Sequence, residues 1–285
     1  MAQSTEVPAP DLTQMRHSMV DFLVRHKTFT SSTIEEAFRV VPRHLFLPGV
    51  PPDQVYQNQP IVTKQDEHGL PISSSTQPSM MAGMLEQLSL SPGQRVLEIG
   101  AGTGYNAALI AHLIGQGGHV VTLDLDRDVV EGAQVHLSNA GFGNVEVVVG
   151  DGAQGHLAGA PYDRLIVTAG AWDVLPAWLE QLRPEGRLVV PLTILPGYML
   201  SIAFEQRNGI WQSQSVCQCG FMSLRGQASP PPGFLPHRPS LPTVMLTPRS
   251  QGSVPIEIRV HLSKPNGEMS LCWETHGDVG NAPFA

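Results

Sequence analysis

Apolar residues along this chain fall into three textures. From Leu12 to about Val40 they recur at three- and four-residue intervals, with Met15, Met19, Phe22 and Leu23 on one stripe, which predicts an amphipathic helix. A second helix is opened by SSTIEE (31–36), in which a hydroxyl and a carboxylate three residues later can cap each other's backbone amides. It should stop at VPRHLFLP (41–48), because a residue preceding proline is pushed out of helical backbone. Residues 51–77 are rich in Gln, Pro and Ser and lack periodicity, so a long loop is expected there. Loops of that length inside a compact domain are usually functional or disordered.

Between residues 79 and 191 the pattern alternates between helical and extended. Near-continuous Val/Ile/Leu runs at 95–99, 119–124, 145–149, 163–168 and 187–191 read as strands buried on both faces. Helices are expected at 79–88, 105–114, 128–140 and 174–182. That order forces parallel pairing through crossover helices, giving an α/β, doubly wound, mostly parallel sheet with its ligand at the carboxyl ends of the strands. After residue 191 the texture becomes two-residue alternation. Segments 199–206 and 211–218 flank Arg207-Asn208-Gly209, and 256–262 and 269–275 flank Lys264-Pro265-Asn266-Gly267, both hairpin signals. Residues 228–255, crowded with Pro and Ser, read as a wrapping loop or linker. The expected organisation is N-terminal helices and a covering loop (1–77), a ligand-binding core (78–200) and a C-terminal β-hairpin extension (201–285).

Charge and cysteine content narrow the partners. With 17 Lys plus Arg against 25 Asp plus Glu the formal charge is −8, opposite to what a phosphate-backbone binder carries, so no nucleic-acid substrate is expected. Cys217, Cys219 and Cys272 form no CxxC pair, and no two of the eleven His residues lie four apart, so no metal site is expected. Among the histidines only His68, in the covering loop, stays a candidate for the site. No stretch approaches 18 consecutive apolar residues and no secretory pattern opens the chain; a soluble cytoplasmic protein without membrane partners is expected.

The chemistry concentrates after the first core strand, in Glu98-Ile99-Gly100-Ala101-Gly102-Thr103-Gly104-Tyr105. A glycine-rich strand-to-helix turn lets a ligand approach backbone amides. Asp124 ends the next strand, where a carboxylate can accept from both hydroxyls of a ribose, and Asp151-Gly152 follows the third, where acid and open space suit an adenine. A nicotinamide dinucleotide would use the same acidic residue, but its GxGxxG turn has the third glycine one residue later. Glu98 would moreover repel a pyrophosphate and attract a sulfonium compound carrying an ammonium group. On the acceptor side, Thr168-Ala169-Gly170-Ala171 lacks the amide and stacking ring that a nucleobase amine needs. A carboxylate acceptor is already ionised near pH 7 and needs no general base, and Ser73-Ser74-Ser75-Thr76-Gln77 offers donors to hold it. Trp172 and Tyr105 are candidate pocket walls.

These residues resemble the protein-L-isoaspartate O-methyltransferases over roughly 34–192. The resemblance runs through VPRHLFLP (41–48) with Tyr56, SSTQP (74–78), VLEIGAGTGYNAALIA (96–111), VGDGAQG (149–155), APYDRLIVTAG (160–170) and LEQLRPEGRLVVPL (179–192). It implies a Rossmann-like class I methyltransferase that uses S-adenosyl-L-methionine to esterify an L-isoaspartyl or aspartyl residue of a peptide or protein substrate. Carried over to this chain, it assigns Glu98, Gly100, Gly102, Gly104, Asp124, Asp151 and Gly152 to the cofactor. Thr76 takes the place of the family's serine, with Ser75 before it, as catalytic candidates. Ser79 stands where the family usually has an aromatic residue or His. About ninety residues follow Leu192, more than ordinary members carry. That extension resembles homologues that methylate Asp in ribosomally made peptides, leading to aspartimide. A tailoring enzyme of that kind and a non-catalytic peptide-binding homologue stand as alternatives.

Overall fold

The computed structural model describes residues 10–195, 197–230, 257–263 and 270–276, the last two as backbone strands. The linker read at 228–255 therefore lies almost wholly outside the described residues.

Helix α1 (Leu12–Arg25) starts at Asp11, whose carboxylate accepts from the amides of Thr13 and Gln14. Helix α2 (Ser32–Val40) is capped by Ser31, whose hydroxyl accepts from Ile34 N at 3.4 Å. Of the stripe read from the sequence, α1 buries Met19 and Leu23 and leaves Met15 and Phe22 half-buried, while α2 buries Ile34, Ala37 and Phe38. A 3₁₀ turn at Arg43–Phe46 and a short helix α3 (Pro52–Val55) follow.

The expected loop at 51–77 is more ordered than its sequence suggested. Strands β1 (Ile61–Gln65) and β2 (Pro71–Ser75) pair as an antiparallel hairpin with irregular register. Its turn is set by Asp66, whose carboxylate accepts from His68 N at 2.9 Å and Leu70 N at 2.8 Å, and by Gly69 at φ +78°. This hairpin lies mainly over a cavity, with Ile61 half-buried against the core, so no two-residue apolar alternation marks it.

Helix α4 (Pro78–Leu88) leads into the central sheet. Its parallel part comprises β3 (Arg95–Ile99), β4 (His119–Asp124), β5 (Val145–Val149), β6 (Tyr162–Val167) and β7 (Leu182–Leu195), with α5 (Tyr105–Ile114), α6 (Arg127–Asn139) and α7 (Pro176–Glu180) as crossovers. The helix read at 174–182 is shorter than expected because Pro176 sets its start and Leu182 already pairs with Tyr162 in the sheet. Strands β8 (Tyr198–Arg207), β9 (Ile210–Cys219), β10 (Glu257–Ser263) and β11 (Ser270–His276) continue the same sheet, in the order β11-β10-β9-β8-β7-β6-β3-β4-β5. The β8–β9 turn has Asn208 at φ +52° and Gly209 at φ +78°, the left-handed pair that a two-residue hairpin needs. Alternate residues of β3 and its neighbours feed two cores. Val96, Val120 and Ile166 pack towards α2, α4 and α5, while Leu97, Val121, Leu165 and Trp178 pack on the opposite face.

The chain winds from β3 outward through β4 to β5, then crosses back to β6 beside β3. The crevice between β3 and β6 is therefore the topological switch point, where doubly wound sheets take ligands.

Candidate active site

At that point lies a cavity of 530 Å³, walled below by the ends of β3, β4 and β6 and covered by the β1–β2 hairpin and by residues 220–225. The glycine turn forms its floor. Gly100 and Ala101 donate to Leu123 O at 2.8 and 3.0 Å, which welds the turn to β4. Gly100 sits at φ +103°, and a Cβ there would collide with Thr168 Oγ1, which itself donates to Gly100 O at 2.8 Å. At Gly152 a Cβ would come within 2.6 Å of Ile99 Cγ2 and 3.3 Å of Leu224 Cδ1, so the absent side chain leaves room in the wall. Gly104 serves a different purpose. It caps α5 at φ +85°, with its open side against Leu137 of α6, and does not line the cavity.

Two carboxylates stand at adjacent strand ends. Glu98 is fully buried, accepting from Asn106 Nδ2 at 2.7 Å and Thr122 Oγ1 at 2.6 Å. Burial pushes its carboxyl up to about 7, although both donors pull it down; the nearby Asp124 charge adds to the rise. Asp124 accepts from Gly102 N at 3.1 Å and Asp126 N at 3.3 Å. Burial also holds it above the usual carboxylate range, against the pull of those amides and of Arg225. Three further polar atoms belong to lining residues, are buried, and find no hydrogen-bond partner among the described residues: Ser75 Oγ, Tyr105 Oη and Asn106 Oδ1.

The structure thus brings Ser75, Thr76, Glu98, Gly100, Gly102, Asp124 and Gly152 to one cavity, with Tyr105 in its wall. Asp151 is not in the lining. One of its oxygens accepts from Ala153 N at 2.9 Å and the other from Gln227 N at 2.8 Å. Trp172 also lies outside, donating to Ala228 O at 2.8 Å, and His68 is exposed at the hairpin tip beside Glu67. The sequence reading missed the wall formed by Phe221, Met222, Leu224 and Arg225. That segment is pinned by backbone bonds of 2.8 Å from Gly170 N to Met222 O and from Leu224 N to Gly170 O, which no local pattern announces. Thr122 was detectable in principle as the one hydroxyl in an otherwise apolar strand run, directly across from Glu98.

Among the described residues no helix is long and apolar enough to cross a membrane, and no three His, Cys, Asp or Glu residues gather as a metal would need.

Residues 14–229 match the family model for protein-L-isoaspartate(D-aspartate) O-methyltransferase. The chain belongs to the protein-L-isoaspartate O-methyltransferase family. Among its relatives, protein-L-isoaspartate O-methyltransferase 2 of Archaeoglobus fulgidus is 35% identical over 217 residues, covering 76% of this chain and 95% of that protein. The Hyperthermus butylicus protein-L-isoaspartate O-methyltransferase is 36% identical over 222 residues, covering 75% and 90%. A solved protein-L-isoaspartate O-methyltransferase superposes with a TM-score of 0.69 at 32% identity, over 75% of this chain and 67% of that one. The fold is shared with a putative family member from Plasmodium falciparum solved with S-adenosyl-L-homocysteine, at a TM-score of 0.63 and 18% identity over 74% and 98%.

Proposed function

We propose that this protein is a carboxyl O-methyltransferase that esterifies L-isoaspartyl residues of peptides or proteins with S-adenosylmethionine. The observation carrying this reading is the pair of carboxylates, Glu98 fully buried and Asp124 partly buried, at neighbouring strand ends of one chamber in a chain of this family.

The residues present fit the donor. Asp124 is suited to accept from the ribose hydroxyls, Glu98 to face the ammonium, and the space left by Gly152 between Ile99 and Leu224 to take the flat base. Asp151, occupied by backbone amides, serves the base indirectly by holding Gln227 and hence the Leu224 segment over Gly152. Gly104 acts by letting α5 pack on α6. When bound, S-adenosylmethionine supplies an electrophilic methyl group: the new O–CH₃ bond forms as the S–CH₃ bond breaks and its electron pair stays on sulfur.

The protein's own tasks are binding, alignment and exclusion of water. An acceptor carboxylate is ionised before it arrives, so no side chain has to remove a proton. Ser75 Oγ and the Thr76 hydroxyl are the donors assigned to hold its second oxygen, and Ser75 Oγ is buried with no hydrogen-bond partner among the described residues. Opposite charges on donor and acceptor cancel in the reaction, so a dry chamber covered by the hairpin and by residues 220–225 favours the transition state. The ester then carries a better leaving group than the carboxylate did. Attack by the following backbone nitrogen expels methanol and gives a succinimide, whose hydrolysis returns part of the material to normal aspartate. The free thiols of Cys217 and Cys219 suit a cytoplasmic setting.

A second reading is favoured by one observation: the family match ends at residue 229, and strands β10 and β11 lie beyond it. A dedicated peptide carrying normal aspartate would then be the acceptor. Incubation with methyl-labelled cofactor and an isoaspartyl peptide beside its aspartyl twin separates the two. A base-labile ester on the isoaspartyl peptide alone is expected. Ester on the aspartyl twin alone supports tailoring, and none on either overturns carboxyl methylation.

A further inference from the structure

Two segments far apart in sequence cover the chamber, the β1–β2 hairpin and residues 220–225, and both are tied to one side chain. Asp126 occupies the N-cap of α6. An aspartate there ordinarily accepts from its own helix's first amides. Asp126 does not. Its Oδ2 accepts from Lys64 Nζ of β1 at 2.9 Å and from Arg225 Nη2 at 2.8 Å, and its Oδ1 from Arg225 Nη1 at 3.2 Å. Lys64 also reaches Asp128 Oδ1 at 2.6 Å. The Asp126 side chain is only 17% exposed, with Lys64 at 28% and Arg225 at 36%, so the network is better shielded than a surface pair.

The two covers are not held equally. Residues 220–225 are also fastened through Gly170, whereas among the described residues Lys64 makes the hairpin's only hydrogen bonds to the rest of the molecule. Asp126 is moreover two residues beyond Asp124, to whose carboxylate its N–H donates, and Leu125 between them lines the cavity.

We propose that Asp126 is a positioning residue of the cofactor site: it clasps Lys64 and Arg225 together, holds the hairpin shut against residues 220–225, and limits how fast the demethylated product leaves. This rests on the reading of the chamber as the S-adenosylmethionine site. Removing the clasp leaves Asp124 and Glu98 in place but holds the hairpin only through the exposed Lys64–Asp128 pair, so dissociation accelerates more than chemistry slows.

S-adenosylhomocysteine is the probe, since it carries no net charge and its own salt response is small. Its affinity is read by calorimetry and its release by stopped-flow on the full chain. Asp126→Asn is expected to release it about tenfold faster with a matching loss of affinity, and Lys64→Met, on the exposed hairpin and away from any core, a few-fold faster. The double variant should fall short of the sum of the two single effects, because both cut the Lys64–Asp126 connection, while Lys64→Met also cuts the pair with Asp128. Raising salt from about 0.05 to about 0.5 M should speed release from the wild type more than from Asp126→Asn, which keeps only the exposed Lys64–Asp128 pair. Asp126→Glu should recover part of the loss. Release at the wild-type rate from both single variants, strictly additive effects, or equal salt responses overturn the clasp. If the wild type itself binds no S-adenosylhomocysteine, the chamber reading falls and the clasp falls with it.

Discussion

The parallel half of the sheet, β7-β6-β3-β4-β5, and the antiparallel half, β8 to β11, share one surface but treat buried polar groups in opposite ways. In the antiparallel half Gln87 of α4 is closed off: its Oε1 accepts from Ser201 Oγ at 2.6 Å, and its Nε2 donates to Ser201 O at 3.1 Å and Ser215 Oγ at 3.3 Å. Such a network fixes how α4 seats on β8 and β9 and has nothing left to offer a ligand. In the parallel half Glu98 keeps an ionisable carboxyl in full burial, and Ser75, Tyr105 and Asn106 leave polar atoms unsatisfied nearby. Strand direction explains the placement. Parallel strands deliver all their carboxyl ends to one edge, where Glu98 and Asp124 meet, whereas antiparallel strands alternate edges and cannot. Incomplete satisfaction, more than polarity itself, distinguishes the functional half.

The largest break in this contrast should come from Asp124→Ala. A carboxylate accepting from two ribose hydroxyls forms charge-assisted hydrogen bonds of about 1.5–3 kcal/mol each, so S-adenosylhomocysteine affinity should fall by about 100-fold or more. Calorimetry checks it; a loss below about fivefold would remove Asp124 from the ligand's grip.

Next in size is the pH response of Glu98. Its carboxyl titrates at about 7 in the fold against 4.5 for an unstrained glutamate. Between those values the folded state binds the extra proton, so stability falls as pH rises through that window, by at most about 3 kcal/mol. A ligand ammonium favours the ionised form and reverses the preference. Affinity for S-adenosylhomocysteine should therefore climb from pH 5.5 towards 7, by at most about tenfold per pH unit, and level off above. Glu98→Gln should flatten that climb, bind more weakly at pH 8, and melt no lower than the wild type there. A wild-type affinity independent of pH over this range contradicts the assignment.

How much of this was readable beforehand follows the same divide. Strands 95–99, 119–124 and 145–149 agree with β3, β4 and β5 to the residue, because each is rich in Val, Ile and Leu; for β3 and β4 this reflects burial on both faces, while β5 at the sheet edge is only partly buried. The Asn208-Gly209 turn was equally plain, since left-handed backbone restricts residue choice. The covers were not readable. The hairpin at 61–75 sends only Ile61 towards a core, and residues 220–225 acquire their place through distant contacts with Gly170, Asp126, the Gly152 opening and the two cores. Asp151 shows the limit most clearly. Its position after β5 suggests a ligand contact, yet its carboxylate meets Gln227, 76 residues away in sequence.

The smallest effect expected is from ending the chain at Pro230. Among the described residues the cavity lining runs from Pro60 to Arg225. Strand β10 joins the sheet through His261 opposite Gln212 and Leu262 opposite Trp211, at the start of β9. Residues 220–225 leave from the other end, at Cys219, which at about 3.3 Å per residue is roughly 25 Å from Trp211. Loss of β10 should therefore expose an edge of β9 and lower the melting temperature by a few degrees without moving the cover. S-adenosylhomocysteine affinity is expected to stay within about twofold of the full chain. A tenfold loss would mean that the antiparallel half reaches the ligand after all, and the division between the two halves would have to be redrawn around β9.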